Sequence, residues 1–129
     1  MIETCIDSRK NLTKHICSGV LFAAEIQNEI RQIYRNEPTD NHLWDFLKAD
    51  LSSLSGDDIR AFAELPKKIV PGRRGGKTAI VAKESIGFGL SRMYEMCAEA
   101  AGQSVDIKVF RSMEDALGWL NYTEADQCT

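Results

Sequence analysis

The 129-residue sequence predicts an α/β domain with a mixed five-stranded sheet and four helices in the order β-β-α-β-α-β-α-β-α. Three observations lead there. Short segments with period-two alternation are interleaved with segments whose apolar residues recur every three or four positions. The first two strand-like segments are separated only by the polar stretch Ser8-Arg9-Lys10-Asn11, a turn of hairpin length. From there on strands alternate with helices, which implies parallel pairs joined by right-handed crossovers.

Met1 to Asp7 alternates Ile2, Thr4 and Ile6 on one face with Glu3, Cys5 and Asp7 on the other. Leu12 to Cys17 forms the second strand, which Ser18-Gly19 is expected to break. Phe22, Ile26, Ile30, Ile33 and Tyr34 mark an amphipathic helix. It should stop by Asn36-Glu37-Pro38, because the residue before a proline is pushed out of helical space. The third strand, within Asn41 to Leu47, is nearly all apolar through Leu43-Trp44-Asp45-Phe46-Leu47, as in a strand covered on both faces.

Ser55-Gly56-Asp57-Asp58 starts the second helix, with Ser55 and Asp58 spaced as a capping box. Ile59, Phe62 and Ala63 form its stripe until Pro66 ends or kinks it. Beyond the loop Pro71 to Gly76, Thr78 to Ala82 is the fourth strand. Ser85 is read as the cap of a third helix with the stripe Ile86, Leu90, Met93, Cys97 and Ala101, closed by Gly102. Val105 to Phe110 is the fifth strand. Ser112 and Asp115 repeat the serine-to-acid cap before a last helix carrying Ala116, Leu117, Trp119 and Leu120. The domain is expected to span 1–120, with a polar, frayed tail over 121–129.

Composition narrows the function classes. Hydrophobic residues make up 43% and charged residues 27%, as in a globular chain. No apolar run approaches the roughly 18 residues of a membrane span, and the N-terminus reads as no signal peptide. Cys5, Cys17, Cys97 and Cys128 lack metal-ligand or framework spacing, which suits reduced thiols in a cytoplasmic protein. Net charge is −3, yet Lys67, Lys68, Arg73, Arg74 and Lys77 cluster, leaving 11 basic against 19 acidic residues elsewhere. Nucleic-acid binding is therefore disfavoured.

Three stretches carry a resemblance to a known family. They are His42-Leu43-Trp44-Asp45-Phe46-Leu47-Lys48-Ala49-Asp50-Leu51, then Ser85-Ile86-Gly87-Phe88-Gly89-Leu90-Ser91-Arg92-Met93-Tyr94, and the ending Val109 to Leu120. With the element order, they resemble STAS domains, the fold of bacterial anti-sigma-factor antagonists, and in particular small uncharacterised bacterial STAS-like proteins. The resemblance covers residues 1 to 120. It implies a non-catalytic regulatory or binding module that acts through a protein partner or small ligand, with partners contacting the start of the helix after the third strand, where regulated members carry a phosphorylated serine or threonine, usually after an aspartate. Here Asp50-Leu51-Ser52-Ser53-Leu54-Ser55-Gly56-Asp57-Asp58 offers hydroxyls but no Asp-Ser or Asp-Thr pair. A phosphate adds about −1.5 to −2 charge, favoured at a helix start but repelled there by Asp57 and Asp58.

The candidate partner or switch surface is accordingly Asp50, Ser52, Ser53, Ser55, Asp57, Asp58, Ser85 and Phe88, with caps and turns as the plainer role of the serines. Arg73, Arg74 and Lys77 form a candidate anion-binding loop. Gly72 to Thr78 fails as a P-loop because Pro71 stands where glycine is needed and a strand, not a helix, follows. His15, expected to face outward on an edge strand, and His42 have no metal-ligand spacing. No cofactor and no metal are expected. Asp45, His42 and Arg92 would have to meet in one cleft for an enzyme. Carriage of a lipid or other small hydrophobic molecule is the alternative, with Phe88, Met93, Tyr94, Met96 and Trp119 lining a pocket. Homodimerisation is compatible with the class.

Overall fold

A computed structural model describes residues 1–35, 39–69, 76–103 and 105–122. Chain order is β1 (Ile2–Asp7), β2 (Leu12–Val20), α1 (Ala23–Arg35), β3 (Asn41–Asp50), α2 (Gly56–Ile69), β4 (Lys77–Val81), α3 (Ser85–Ala100), β5 (Asp106–Phe110) and α4 (Met113–Trp119). The five strands lie side by side in sequence order. β1 and β2 are antiparallel, and every later neighbour is parallel. Each crossover steps to the next strand in the same direction, so right-handedness puts α1, α2 and α3 on one face. Ile26, Ile30, Ile59 and Phe62 pack there against Cys17, Trp44, Ile80 and Val109. α4 covers the other face, with Ala116 and Leu117 on Leu12, Leu43, Ala79 and Val81.

Several boundaries differ from the sequence reading. β2 runs on through Ser18-Gly19 to Val20, absorbing the break as a register shift between Ile16 and Ser18, with Gly19 at φ +72°. β3 likewise continues to Asp50. α2 passes through Pro66 to Ile69, whereas the stop at 36–38 lies outside the described residues. Phe22 and Ile86, read as stripe residues, are 58% and 60% exposed. Phe22 directly precedes α1, and Ile86 lies in the first turn of α3. Tyr122 is buried, its hydroxyl 3.3 Å from Asp7 Oδ2 and its ring under the Lys14 ammonium. Packing therefore extends two residues past the expected end at 120.

The amino ends of the parallel strands are stitched together by short polar contacts. Asn11, at φ +56°, donates from Nδ2 to Asp40 Oδ2 at 2.7 Å and accepts from the Asp40 amide at 2.8 Å. The Asn41 amide donates to the Asn11 carbonyl, and Asn41 Oδ1 accepts from the Lys77 amide at 2.9 Å. Gly76 sits at φ +101°, where a Cβ would fall 2.1 Å from the Asp40 carbonyl oxygen. Only glycine fits this approach.

Gly76→Ala is expected to lower unfolding stability by at least the roughly 1–3 kcal/mol of a left-handed non-glycine residue. Gly89→Ala, in open space inside α3, should raise it by about 0.5–1 kcal/mol. Urea unfolding of both variants checks the contrast.

Candidate functional site

The carboxyl ends of β3 and β4 frame a recess of about 370 Å³ lined by Asp50, Ser52, Lys83, Glu84, Ser85 and Ile86 among others. Outside the carboxyl ends of parallel strands is where open α/β sheets place their binding sites. Asp50 ends β3. Its Oδ1 accepts from the Ser52 hydroxyl at 2.6 Å and the Ser52 amide at 2.9 Å. The hydroxyl first, then the amide, holds the Asp50 carboxyl below its ordinary range. A phosphate on Ser52 would break this turn and face a carboxylate.

Ser55 and Asp58 form the capping box read from their spacing. Ser55 Oγ accepts from the Asp58 amide at 3.1 Å, and Asp58 Oδ2 from the Ser55 amide at 2.9 Å. Asp57 points to solvent and pairs with Arg60 at 2.5 Å. Ser53 is exposed.

Ser85 is not the cap of α3. It is the first helical residue, and Glu84 holds the cap position without a side-chain hydrogen bond. Ser85 still reaches the recess. Gly87 faces inward, where a Cβ would meet Leu51 at 3.5 Å and Ala82 at 3.6 Å. Phe88 is half-buried, with the Arg111 guanidinium 3.9 Å above its ring. Asp50, Ser52 and Ser85 therefore converge, while the other five candidates lie in the cap, in solvent or in packing.

An apolar rim escaped the sequence reading. Ile86 lines the recess and is exposed. Val20, 46% exposed, pairs with Asp50 across β2 and β3, and Phe22 follows two residues later. Phe22 and Ile86 fit the stripes of their helices, and Val20 lies beyond the expected break at Ser18-Gly19; nothing local marks where a stripe leaves the sheet.

Arg73 and Arg74 of the proposed anion loop lie outside the described residues. Lys77 belongs to β4, donates from Nζ to the Trp119 carbonyl at 3.0 Å and lies over that indole ring.

Between the sheet and the three helices lies a small cavity of about 70 Å³. Tyr94 lines it, but Phe88, Met93, Met96 and Trp119 do not, which corrects the lipid-pocket lining. Met96 is 66% exposed, and Trp119 packs on the opposite face. An apolar cavity of about 150 Å³ is what holds a benzene, so this space is too small for a lipid chain. Thr78 Oγ1 is buried there without a protein partner, and a water in the cavity would satisfy it.

The largest departure concerns histidine. β2 is an interior strand, and His15 and His42 are 0% and 1% exposed. Parallel register sets Thr13 beside His42 and His15 beside Trp44, with His15 stacked on the indole at 4.2 Å between centroids. His15 Nε2 lies 2.9 Å from His42 Nδ1, and His15 Nδ1 lies 2.5 Å from Glu29 Oε2 on α1. Thr4 of β1 donates to the same oxygen, and His42 Nε2 lies 3.1 Å from the Thr39 carbonyl.

Burial works to raise the Glu29 carboxyl, but the hydrogen bonds from His15 and Thr4 outweigh it and hold the carboxyl below its usual value. The Cys17 thiol nearby is pushed up to about 12, by burial first and then by Glu29. Asp45 lies on the opposite face, its Oδ1 accepting from the Leu47 amide, and Arg92 pairs with Glu95 on the surface of α3. Asp45, His42 and Arg92 thus share no cleft.

Among the described residues no cluster of ligating side chains could hold a metal ion, and no helix is long and apolar enough to cross a membrane. Cys17 and Cys97 are free thiols. Cys5 is disulfide-bonded, which departs from the expectation of four reduced thiols.

No known family profile matches the chain, and no curated protein does. Among solved structures, it is similar to the crystal structure of an uncharacterized DUF3478-family protein with a SpoIIAA-like fold from Shewanella loihica PV-4. That similarity spans 93% of this chain and 92% of the other, with a TM-score of 0.52 and 18% identity. The fold is SpoIIAA-like, that is, STAS-like. At this identity the likeness concerns fold alone. The mixed five-stranded sheet and four helices of this STAS-like chain agree with it.

Ser55→Ala should cost about 1 kcal/mol through loss of the helix cap. Ser52→Ala, at an exposed turn, should stay within about 0.5 kcal/mol. Thermal unfolding of the two variants separates a capping serine from a surface one.

Proposed function

We propose that this STAS-like chain is a non-catalytic regulatory module that recognises a protein partner through the recess at the carboxyl ends of β3 and β4. The observation that carries the reading is the exposed apolar rim of Ile86, Val20 and Phe22 beside the polar Asp50, Ser52 and Glu84. Large apolar side chains left exposed beside polar and charged ones are what a protein interface can bury. Burying one isoleucine against a partner is worth about 1.5–3 kcal/mol, and the surrounding carboxylates would select partners with basic or hydrogen-bond-donating groups.

The non-catalytic part of the reading is supported by where the acid–base groups lie. His15 and His42 are sealed between sheet and helices. A protein partner is favoured over a carried lipid because the interior cavity is small. Regulation by serine modification is the weaker half of the reading, since Ser52 is tied to Asp50 and Ser55 to the cap. A cytoplasmic setting is supported by the free thiols of Cys17 and Cys97 and opposed by the disulfide at Cys5. A thiol count on protein purified under nitrogen distinguishes the two.

Ile86→Asp should leave folding stability within about 0.5 kcal/mol, as for an exposed position, and abolish capture of a partner that the wild type retains. Quantitative affinity purification with both proteins reads this out. Equal retention by the variant would rule out the recess as the partner surface.

A further inference from the structure

A line runs from the half-buried Glu29, which also accepts from the exposed Thr4, through the buried His15 and His42 to the Thr39 carbonyl, with three links: Glu29–His15, His15–His42 and His42–Thr39. A carbonyl only accepts, so His42 Nε2 must carry a proton. His42 Nδ1 and His15 Nε2 then share one, and His15 Nδ1 and Glu29 Oε2 share another. The line is fully bonded with three protons, and in that state its net charge is zero. With two protons, one link sets a pair of lone pairs face to face. With four, one link holds two opposed N–H groups. Either defect leaves a nitrogen of a buried imidazole without its bond, which is costly.

We propose that this line is a proton-operated latch, which seats α1 on the sheet only while each of its three links holds a single proton. Its reach supports that role: it joins β1, α1, β2 and the entry to β3. Several described groups also face it. From β2 it is faced by the Cys17 thiol, from β3 by the Trp44 ring and from β4 by Thr78, the register neighbour of His42. Glu25, one turn before Glu29, pairs with the N-terminal ammonium of Met1 at 3.4 Å. Thr13 and Thr39 share a hydroxyl contact at 2.7 Å at the far end. None of these supplies a second carboxylate to the imidazoles.

The sign of the pH dependence follows from counting. Above about pH 7.5 the unfolded chain keeps Glu29 ionised and both imidazoles neutral, so these groups hold two protons. Folding then takes up one proton, and the latch weakens as pH rises. Phe22 directly precedes α1, so the latch also governs how firmly one side of the apolar rim is held. That last consequence rests on the partner-surface reading, whereas the latch does not.

Glu29→Gln is the discriminating variant. A glutamine amide donates one hydrogen to His15 Nδ1 and the other toward Thr4, so the line is fully bonded with two protons and no uptake is needed. The folding constant of the wild type relative to E29Q, from urea unfolding at matched pH, should fall tenfold per pH unit from about pH 6 upward until the latch gives up its proton. A ratio constant within twofold from pH 6 to 8.5 would overturn the proposal. If E29Q fails to fold, calorimetric unfolding of the wild type at pH 8 in buffers of different ionisation enthalpy replaces it. Release of one proton from this otherwise alkaline-neutral set supports the latch, and none contradicts it. Loss of partner capture in Ile86→Asp has no bearing on either readout.

Discussion

The hydrogen-bonded line that joins Glu29 to His15 and His42 is the constraint on which the remaining architecture depends. An imidazole buried without partners costs about 1–3 kcal/mol per unsatisfied group, and two of them lie side by side at the centre of this sheet. The arrangement is tolerable only in one register of β2 against β3 and one seating of α1. A slip of β2 by one residue would turn His15 away from His42 and toward α4, whose contact surface is Ala116 and Leu117. The line therefore specifies pairing as well as contributing stability. The stack of His15 on Trp44 ties it to the apolar core formed with Ile30, Ile59 and Phe62.

With the central strands fixed, the two ends of the sheet diverge in character. The amino ends are closed by Asn11, Asp40 and Asn41 and by the tight approach of Gly76. The Asp40, Asn41 and Lys77 amides are all bonded there. The carboxyl ends open into the recess, where the turns after β3 and β4 carry hydroxyls and carboxylates and Ile86 stands exposed, with Val20 exposed beside Asp50 at the end of β2. The STAS-like fold by itself says where a binding site is convenient and not what occupies it.

What could be read in advance follows the range of each interaction. The Ser55–Asp58 box and the Ser112 cap are encoded within four residues, and both form as their spacing demands. Element order was equally legible, because period and turn chemistry are local. Strand ends were not: Gly19 looked like a breaker, yet pairing with β3 carries β2 past it. Ser85 matched the cap pattern, but the chain leaves β4 one residue earlier and gives the cap position to Glu84. The histidines were illegible for a deeper reason. His15 and His42 are 27 residues apart and meet only through the parallel register, while Glu29 arrives from the intervening helix. No spacing rule for ligands or catalytic groups spans such a crossover. The one available hint was polar residues at positions whose alternation points inward.

The most direct test of the account is the nitrogen-15 NMR spectrum of the two imidazoles in the folded wild-type protein near pH 7. The account predicts that His42 carries a proton on Nε2 held by the Thr39 carbonyl, and that the four ring nitrogens together bear one shared proton in each link, unchanged across neutral pH. Two histidines titrating independently, with the ordinary midpoint near pH 6.5 of an exposed imidazole, would contradict it.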